Sequence, residues 1–173
     1  MITQKARYAF KALIVLAGES QDRLRTEAIA ARGAIPRKFL ERILLELKAS
    51  GLIESRRGRA GGYALVKHPS EITLGAVLRV IDGPIAPLSC ISRTAYRRCV
   101  DCSDEANCAL RRLFSPAYEA TLLAMDAITL ADGLPDGLVE TLEKARERPV
   151  SSPLGASAEE YSPQSPAKET GLR

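Results

Sequence analysis

The chain has 173 residues but a single histidine, His68, and only four cysteines. No apolar run approaches the ~20 residues needed to cross a bilayer. The start, "MITQKARYAF", lacks the apolar core and cleavage pattern of a secretory signal. These absences predict a cytoplasmic protein with no membrane partner, in a compartment where stable disulfides are rare. There is no internal repeat, no Gly-rich nucleotide-binding loop, no acid/base dyad, and no histidine near the cysteines. The pattern argues against an enzyme, including an iron–sulfur electron carrier or thiol enzyme.

What is present is unevenly distributed. Residues 1–80 hold 15 Lys/Arg against 7 Asp/Glu, net +8, whereas residues 81–173 hold 10 against 14, net −4. A basic half suggests a polyanion, most often nucleic acid, although a solvated charged surface gives the same count. An acidic protein surface is the other class of partner that such a half could serve.

The hydrophobic pattern predicts a mainly α protein with one small β-hairpin. "QKARYAFKALIVLAG" has helical periodicity with Gly18 as its stop. A short helix follows, with Thr26 as expected N-cap and Gly33 as its end. Pro36 is expected in the first turn of the next helix, where a missing N–H costs nothing. Its apolar stripe is Phe39, Leu40, Ile43, Leu44 and Leu47, and Gly51 terminates it. Two helices joined by a Gly-containing turn are a helix-turn-helix signal. "LIESR" and "GYALVK" then read as a hairpin around a Gly-rich, arginine-rich turn. That order is a winged helix-turn-helix. Beyond it lie a short helix capped by Thr73 and closed by Gly83, and a long helix from about residue 105 in which Pro116 predicts a kink or break. "LADGLPDGLVETLEKARER" predicts further short helices, and the Pro- and Ser-rich tail predicts disorder. The expected organisation is a DNA-binding domain at 1–83, a cysteine-bearing loop at 84–104, a dimerisation helix and short helices at 105–148, and a tail at 149–173.

A helix fits the B-DNA major groove, with residues near its N-terminus reaching base edges. Arg37, Lys38, Glu41 and Arg42 lie on the first turns of the third helix, off the apolar stripe. Glu41 can accept a hydrogen bond from cytosine N4; it can equally pair within its own helix. Arg56, Arg57 and Arg59 sit among glycines at the hairpin tip, suited to a narrow, electronegative minor groove. Arg7 and Tyr8 are candidates for phosphate contact, and Tyr8 is also a candidate for partial burial.

The chain resembles the Rrf-two family of bacterial winged-helix regulators, of the IscR, NsrR and RirA type. The pieces that carry the resemblance are "ARYAFKAL", "IPRKFLERILLELKASGLIES", "RGRAGGYAL", "EITLGAVLRVIDG", clustered cysteines and "AITLADGL", within residues 1–133. The resemblance implies a homodimer on a pseudo-palindromic operator of double-stranded DNA. It implies a recognition helix at 36–49 with Glu41 reading a base, a wing at 55–62 with Arg57, and a dimerisation helix from about 105.

All four cysteines fall in "CISRTAYRRCVDCSDEANC", spaced C-x8-C-x2-C-x5-C. Cys90, Cys99, Cys102 and Cys108 sit among polar residues, unlike buried structural cysteines. Four soft ligands suit an iron–sulfur cluster, 2Fe–2S or 4Fe–4S, or tetrahedral zinc; the spacing alone does not choose. A metal-free thiol switch is the other alternative. Sensors of the family commonly use three cysteines and a variable fourth ligand. Cys90, Cys102 and Cys108 match that pattern, and Cys99 is a departure, either the fourth ligand or a spare thiol. Arg93, Arg97, Arg98, Arg111 and Arg112 are expected to lower the thiol pKa values.

Overall fold

A computed structural model describes residues 2–19 and 23–135. The short helices expected beyond residue 135 and the Pro-rich tail lie outside the described residues. Five α-helices and one two-stranded antiparallel sheet follow the order α1 (Gln4–Ala17), α2 (Thr26–Gly33), α3 (Arg37–Ala49), β1 (Ile53–Arg56), β2 (Gly62–Leu65), α4 (Leu74–Ile81) and α5 (Ala109–Ala127). The mainly α architecture with a small hairpin is as expected.

Helix α1 starts where Thr3 caps the Ala6 N–H at 3.1 Å, and it buries Ala6, Ala9, Ala12, Leu13 and Leu16. Small residues on this face let α2, α3 and α4 all approach it. Leu40, Ile43, Leu44 and Leu47 of α3 fill the centre, with Ile29, Ile53, Ile72 and Val77 around them. Burying one such side chain contributes about 1.5–3 kcal/mol. Phe39 does not join this stripe: it is 60% exposed. On α3 it lies one step of about 100° before Leu40, at the stripe's edge.

Element ends differ from the sequence expectation in instructive ways. Thr26 is the first residue of α2 and Arg25 its N-cap. The cause is upstream: Leu24 is held extended by hydrogen bonds with Tyr63, 3.0 Å and 2.8 Å, so the chain turns into helix immediately afterwards. Gly33 does end α2, but Ala34 carries the left-handed turn, φ 48°. Gly33 is small for packing reasons, since a Cβ there would lie 2.8 Å from Ile35 Cδ1. Pro36 is the cap just before α3, where its carbonyl accepts from Phe39 and Leu40.

The hairpin pairs Ile53 with Leu65 and Arg56 with Gly62. Thr73 caps α4 by accepting from the Ala76 N–H at 3.1 Å, as expected. The long helix begins at Ala109 rather than about 105. Asp104 intercepts the chain first: its carboxylate accepts from the N–H groups of Ala106 and Asn107 and from the Asn107 side chain, an Asx turn that competes with helix. Pro116 does not break α5, which runs on to Ala127. Pro116 is exposed, so the carbonyl it leaves unpaired can meet water.

After α5 the chain returns to the first half. Leu74 N–H donates to Ile128 at 2.8 Å and Leu130 N–H to Ile72 at 2.9 Å, placing Leu130 in the core. This is the structural meaning of "AITLADGL": a strap that fastens the end of α5 to the start of α4. A bidentate Arg79–Asp126 pair, 2.8 Å on both arms, adds a second fastening.

Candidate nucleic-acid interface and thiol centre

Two sets of functional candidates occupy different places. The first lies on α1, α3 and the hairpin. Lys38, Glu41 and Arg42 are exposed on the outer side of α3, opposite the buried stripe. Arg37 is tied down, to Glu41 at 2.9 Å and to Glu27 of α2 at 3.0 Å. These carboxylates raise its pKa, the Glu41 hydrogen bond foremost. Glu41 is therefore an intrahelical partner in the free chain. Arg42 pairs at 3.5 Å with Glu46, which also binds Lys5 of α1 at 2.5 Å. Among the described residues, Lys38, Arg56 and Arg57 have no carboxylate partner. Arg7 is exposed, its guanidinium on Gln4 at 3.2 Å, and Tyr8 is half-buried against Phe39.

The hairpin tip is shaped by glycine. Gly58 has φ 108°, and a Cβ on Gly61 would lie 2.3 Å from the Arg56 carbonyl oxygen. The backbone therefore folds back on itself and presents Arg56, Arg57 and Arg59 outward, all exposed. Sequence reasoning missed what steadies this wing. Arg25 donates to the Arg59 carbonyl at 2.7 Å, and Arg23 pairs with Glu54. The available signal was "RLR", two arginines flanking the extended Leu24.

The second set is the cysteine segment, anchored at both ends. Cys90, 3% exposed, sits in a 3₁₀ turn at Ser89–Ile91 against α5, while Cys99 is exposed and Cys102 and Cys108 are half-buried. All four are free thiols. Arg97 N–H donates to Ser89 at 3.1 Å and the Ser89 hydroxyl to Arg97 at 3.1 Å, closing a loop that brings residue 99 back toward residue 90. Arg93 pairs with Glu119 of α5, and Tyr96 donates to Glu105, which also takes Arg111 at 3.3 Å.

The Cys102 thiol donates to the Asp104 carbonyl at 3.4 Å. The thiols lie near enough to perturb one another, Cys90 and Cys108 acting on Cys99, and Cys108 and Cys99 on Cys102. Cys108 is the N-cap residue of α5, with no capping hydrogen bond from its side chain. The backbone N–H groups of Arg111 and Leu110, the Cys102 thiol and the Arg111 charge favour its thiolate and hold its pKa below the ordinary value against the opposing effect of burial. Desolvation and the neighbouring thiols push Cys99 and Cys102 up instead. Against the expected general lowering by arginines, Cys99 and Cys102 are raised; Arg111 helps to lower Cys108, while Arg93 is engaged with Glu119. Among the described residues, no three His, Cys, Asp or Glu side chains form a closed metal cage. The donor chemistry, four sulfurs near one another, fits a thiolate-bound group.

Among the described residues no helix is long and apolar enough to cross a membrane. An rrf2-like HTH-type transcriptional regulator of Rhodobacter capsulatus is 48% identical over 141 residues, 79% of this chain and 94% of that protein. The NsrR regulator of Geobacillus kaustophilus is 35% identical over 136 residues, 78% of this chain and 90% of that protein. The solved structure of CymR, the global cysteine regulator of B. subtilis, is 29% identical with a TM-score of 0.62, covering 82% of this chain and 97% of that one. Residues 2–136 match the Rrf2 family, described as iron-dependent transcriptional regulators. With that match, the winged-helix architecture and these relatives, the chain belongs to the Rrf2 family: it is a transcriptional regulator and not an enzyme.

Proposed function

We propose that the chain is a cytoplasmic, homodimeric repressor of a pseudo-palindromic duplex DNA operator, whose affinity is set by an iron–sulfur cluster on Cys90, Cys99, Cys102 and Cys108. The observation that carries this reading is the grouping of all four thiols around the N-terminus of α5, in a chain whose first half is a basic helix-turn-helix and wing. In this reading Lys38, Arg42, Arg56, Arg57, Arg59, Arg7 and Tyr8 meet the DNA, mostly at phosphate and in the minor groove. Glu41 swaps its Arg37 partner for a base. When bound, a [2Fe–2S] or [4Fe–4S] cluster supplies a centre that responds to iron, oxygen, nitric oxide or redox state.

The dimer reading rests on α5. Leu110, Leu113 and Phe114 are exposed on one face of its first turns, 54%, 72% and 41%, and Leu123, 73% exposed, lies further along and on a different side. A cluster of large exposed apolar side chains such as the first three marks an interaction site. Two subunits joined there must set their recognition helices about one DNA turn apart, ~34 Å. Cys108 is the N-cap residue of α5, so ligand binding at the thiols acts on the helix that sets this spacing.

The Cys102–Cys108 contact, with Cys108 the more acidic thiol, favours a second reading: a metal-free thiol switch. Zinc is the remaining occupant that four thiolates suit. One experiment separates the three. The protein is purified without oxygen, iron, sulfide and zinc are measured, and DNA is titrated before and after removal of the bound group. Iron with sulfide and a change in affinity support the cluster. One zinc per chain, or equal affinity in both states, overturns it. Cys99→Ala is expected to lower cluster occupancy; a cluster kept in full makes Cys99 the spare thiol. In the same titrations Arg57→Ala is expected to weaken binding to every sequence and to flatten the salt dependence by about one in log–log slope.

A further inference from the structure

Phe39 is the exception on α3. Its stripe neighbours Leu40, Ile43, Leu44 and Leu47 are buried, and it is 60% exposed. It is the third residue of the helix, in the part of a recognition helix that reaches base edges. It is also held in place. Its ring lies 6.0 Å from that of Tyr8, centroid to centroid, with the planes at 41°. The two rings, with Lys5, Lys38, Arg42 and Ile43, line a groove of about 540 Å³ between α1 and α3. The groove therefore has an apolar floor and a cationic rim.

That chemistry selects its ligand. A phenyl ring offers no hydrogen bond to a base edge, so it cannot take the part that arginine plays for guanine or glutamine for adenine. Thymine alone presents a methyl group in the major groove, and apolar side chains are its partners there. The phosphates that flank any base match Lys38 on this rim, with Lys5 and Arg42, which share Glu46 in the free chain, beside it.

We infer that Phe39, braced by Tyr8, is a specificity residue that reads the C5-methyl of a thymine in each operator half-site. The inference rests on the DNA-binding reading above and assigns a base that Glu41 does not. Leu45 supplies the internal control. It is as exposed as Phe39, at 64%, and lies on the same helix, but six residues further on, about 9 Å along the axis.

The test uses the full chain, prepared without oxygen. Binding sequences are selected from a random duplex pool, and each thymine of the selected site is then replaced in turn by deoxyuridine, which lacks only the methyl. At one position per half-site, the wild-type chain is expected to lose about fourfold in affinity, the worth of roughly one buried methyl group. Phe39→Ala should bind thymine and uracil there equally, Phe39→Leu should keep part of the discrimination, and Leu45→Ala should keep all of it. Melting temperatures of the variants check that each is folded. The inference is overturned if deoxyuridine has no effect at any position, if Phe39→Ala discriminates as the wild type does, or if the effect disappears in Leu45→Ala instead. A chain that binds no duplex at low salt overturns the DNA-binding reading itself, whereas DNA binding without this coupling overturns only the role of Phe39.

Discussion

In α1, α3 and α4 every turn places a side chain in the core, whereas between Ile91 and Cys108 only Ser92 is buried. The first region is shaped by what it hides. The second is shaped by polar contacts: the Ser89–Arg97 closure, the Asp104 turn and the Tyr96–Glu105 bond. Exposed polar contacts and ion pairs are each worth about 0–1 kcal/mol. A winged helix built on the first principle has its geometry before any ligand arrives. A loop built on the second can take its final form from whatever its thiols hold.

The largest effect that tests this contrast is on stability. Leu44→Ala is expected to cost about 2–5 kcal/mol, the range for a fully buried leucine whose cavity cannot collapse. Cys99→Ala in the cofactor-free chain should stay within about 0.5 kcal/mol, as for an ordinary surface site. Denaturant melts of both variants give the comparison. A Cys99→Ala loss comparable to that of Leu44→Ala would show that the cysteine segment is core after all.

A smaller effect sharpens the first region alone. Glu41 sits near the start of α3 but is bound to Arg37 in the free chain. Arg37 keeps Glu27 as a second partner at 3.0 Å, so removing Glu41 leaves no orphaned cation. Glu41→Ala is therefore expected to relax specificity by about 1–3 kcal/mol at one or two base pairs, with little change in stability or non-specific affinity. Identical motifs from a site selection with both proteins would leave Glu41 as a helix partner only.

The same contrast explains what the sequence could disclose. Helical periodicity placed α1, α3 and α4, and glycines and arginines placed the wing, because each signal is local and repeats along an element. Periodicity could not tell that Phe39 stands outside the stripe, since one position of about 100° decides it and Tyr8, the residue that receives it, is 31 positions away. Ala34 in the left-handed turn was hidden because glycine is the usual occupant. Arg25 on the Arg59 carbonyl and Leu130 in the core depend on chain crossings that no local pattern records. In the cysteine segment the spacing showed the donors, but which thiols come near one another depends on the loop closed at Ser89 and Arg97 and on the Asp104 turn.

The smallest effect concerns the joint between the regions. Arg79 of α4 holds Asp126 of α5 through two bonds of 2.8 Å, and Gly75 leaves room for them, since a Cβ there would lie 2.1 Å from Asp126 Oδ1. The Arg79 hydrogen bond first, then its charge, holds the Asp126 carboxyl below its ordinary pKa against the opposing effect of burial. A carboxyl whose folded pKa is depressed stabilises the fold above the unfolded value, about 3.9, and loses that contribution as pH falls through the folded one. Both side chains are partly exposed, 28% and 45%, so solvent screening limits the pair to about 1 kcal/mol or less. Asp126→Asn should therefore be less stable than the wild type by that amount at pH 7, with the gap closing as pH drops below about 4. Gly75→Ala displaces the same carboxylate, so its cost should overlap that of Asp126→Asn rather than add to it. Urea melts of the two single variants and the double variant between pH 3 and 7 measure both effects. A gap that does not narrow in acid, or costs that add in full, would mean that the joint between α4 and α5 is held by the Leu130 strap and not by this ion pair.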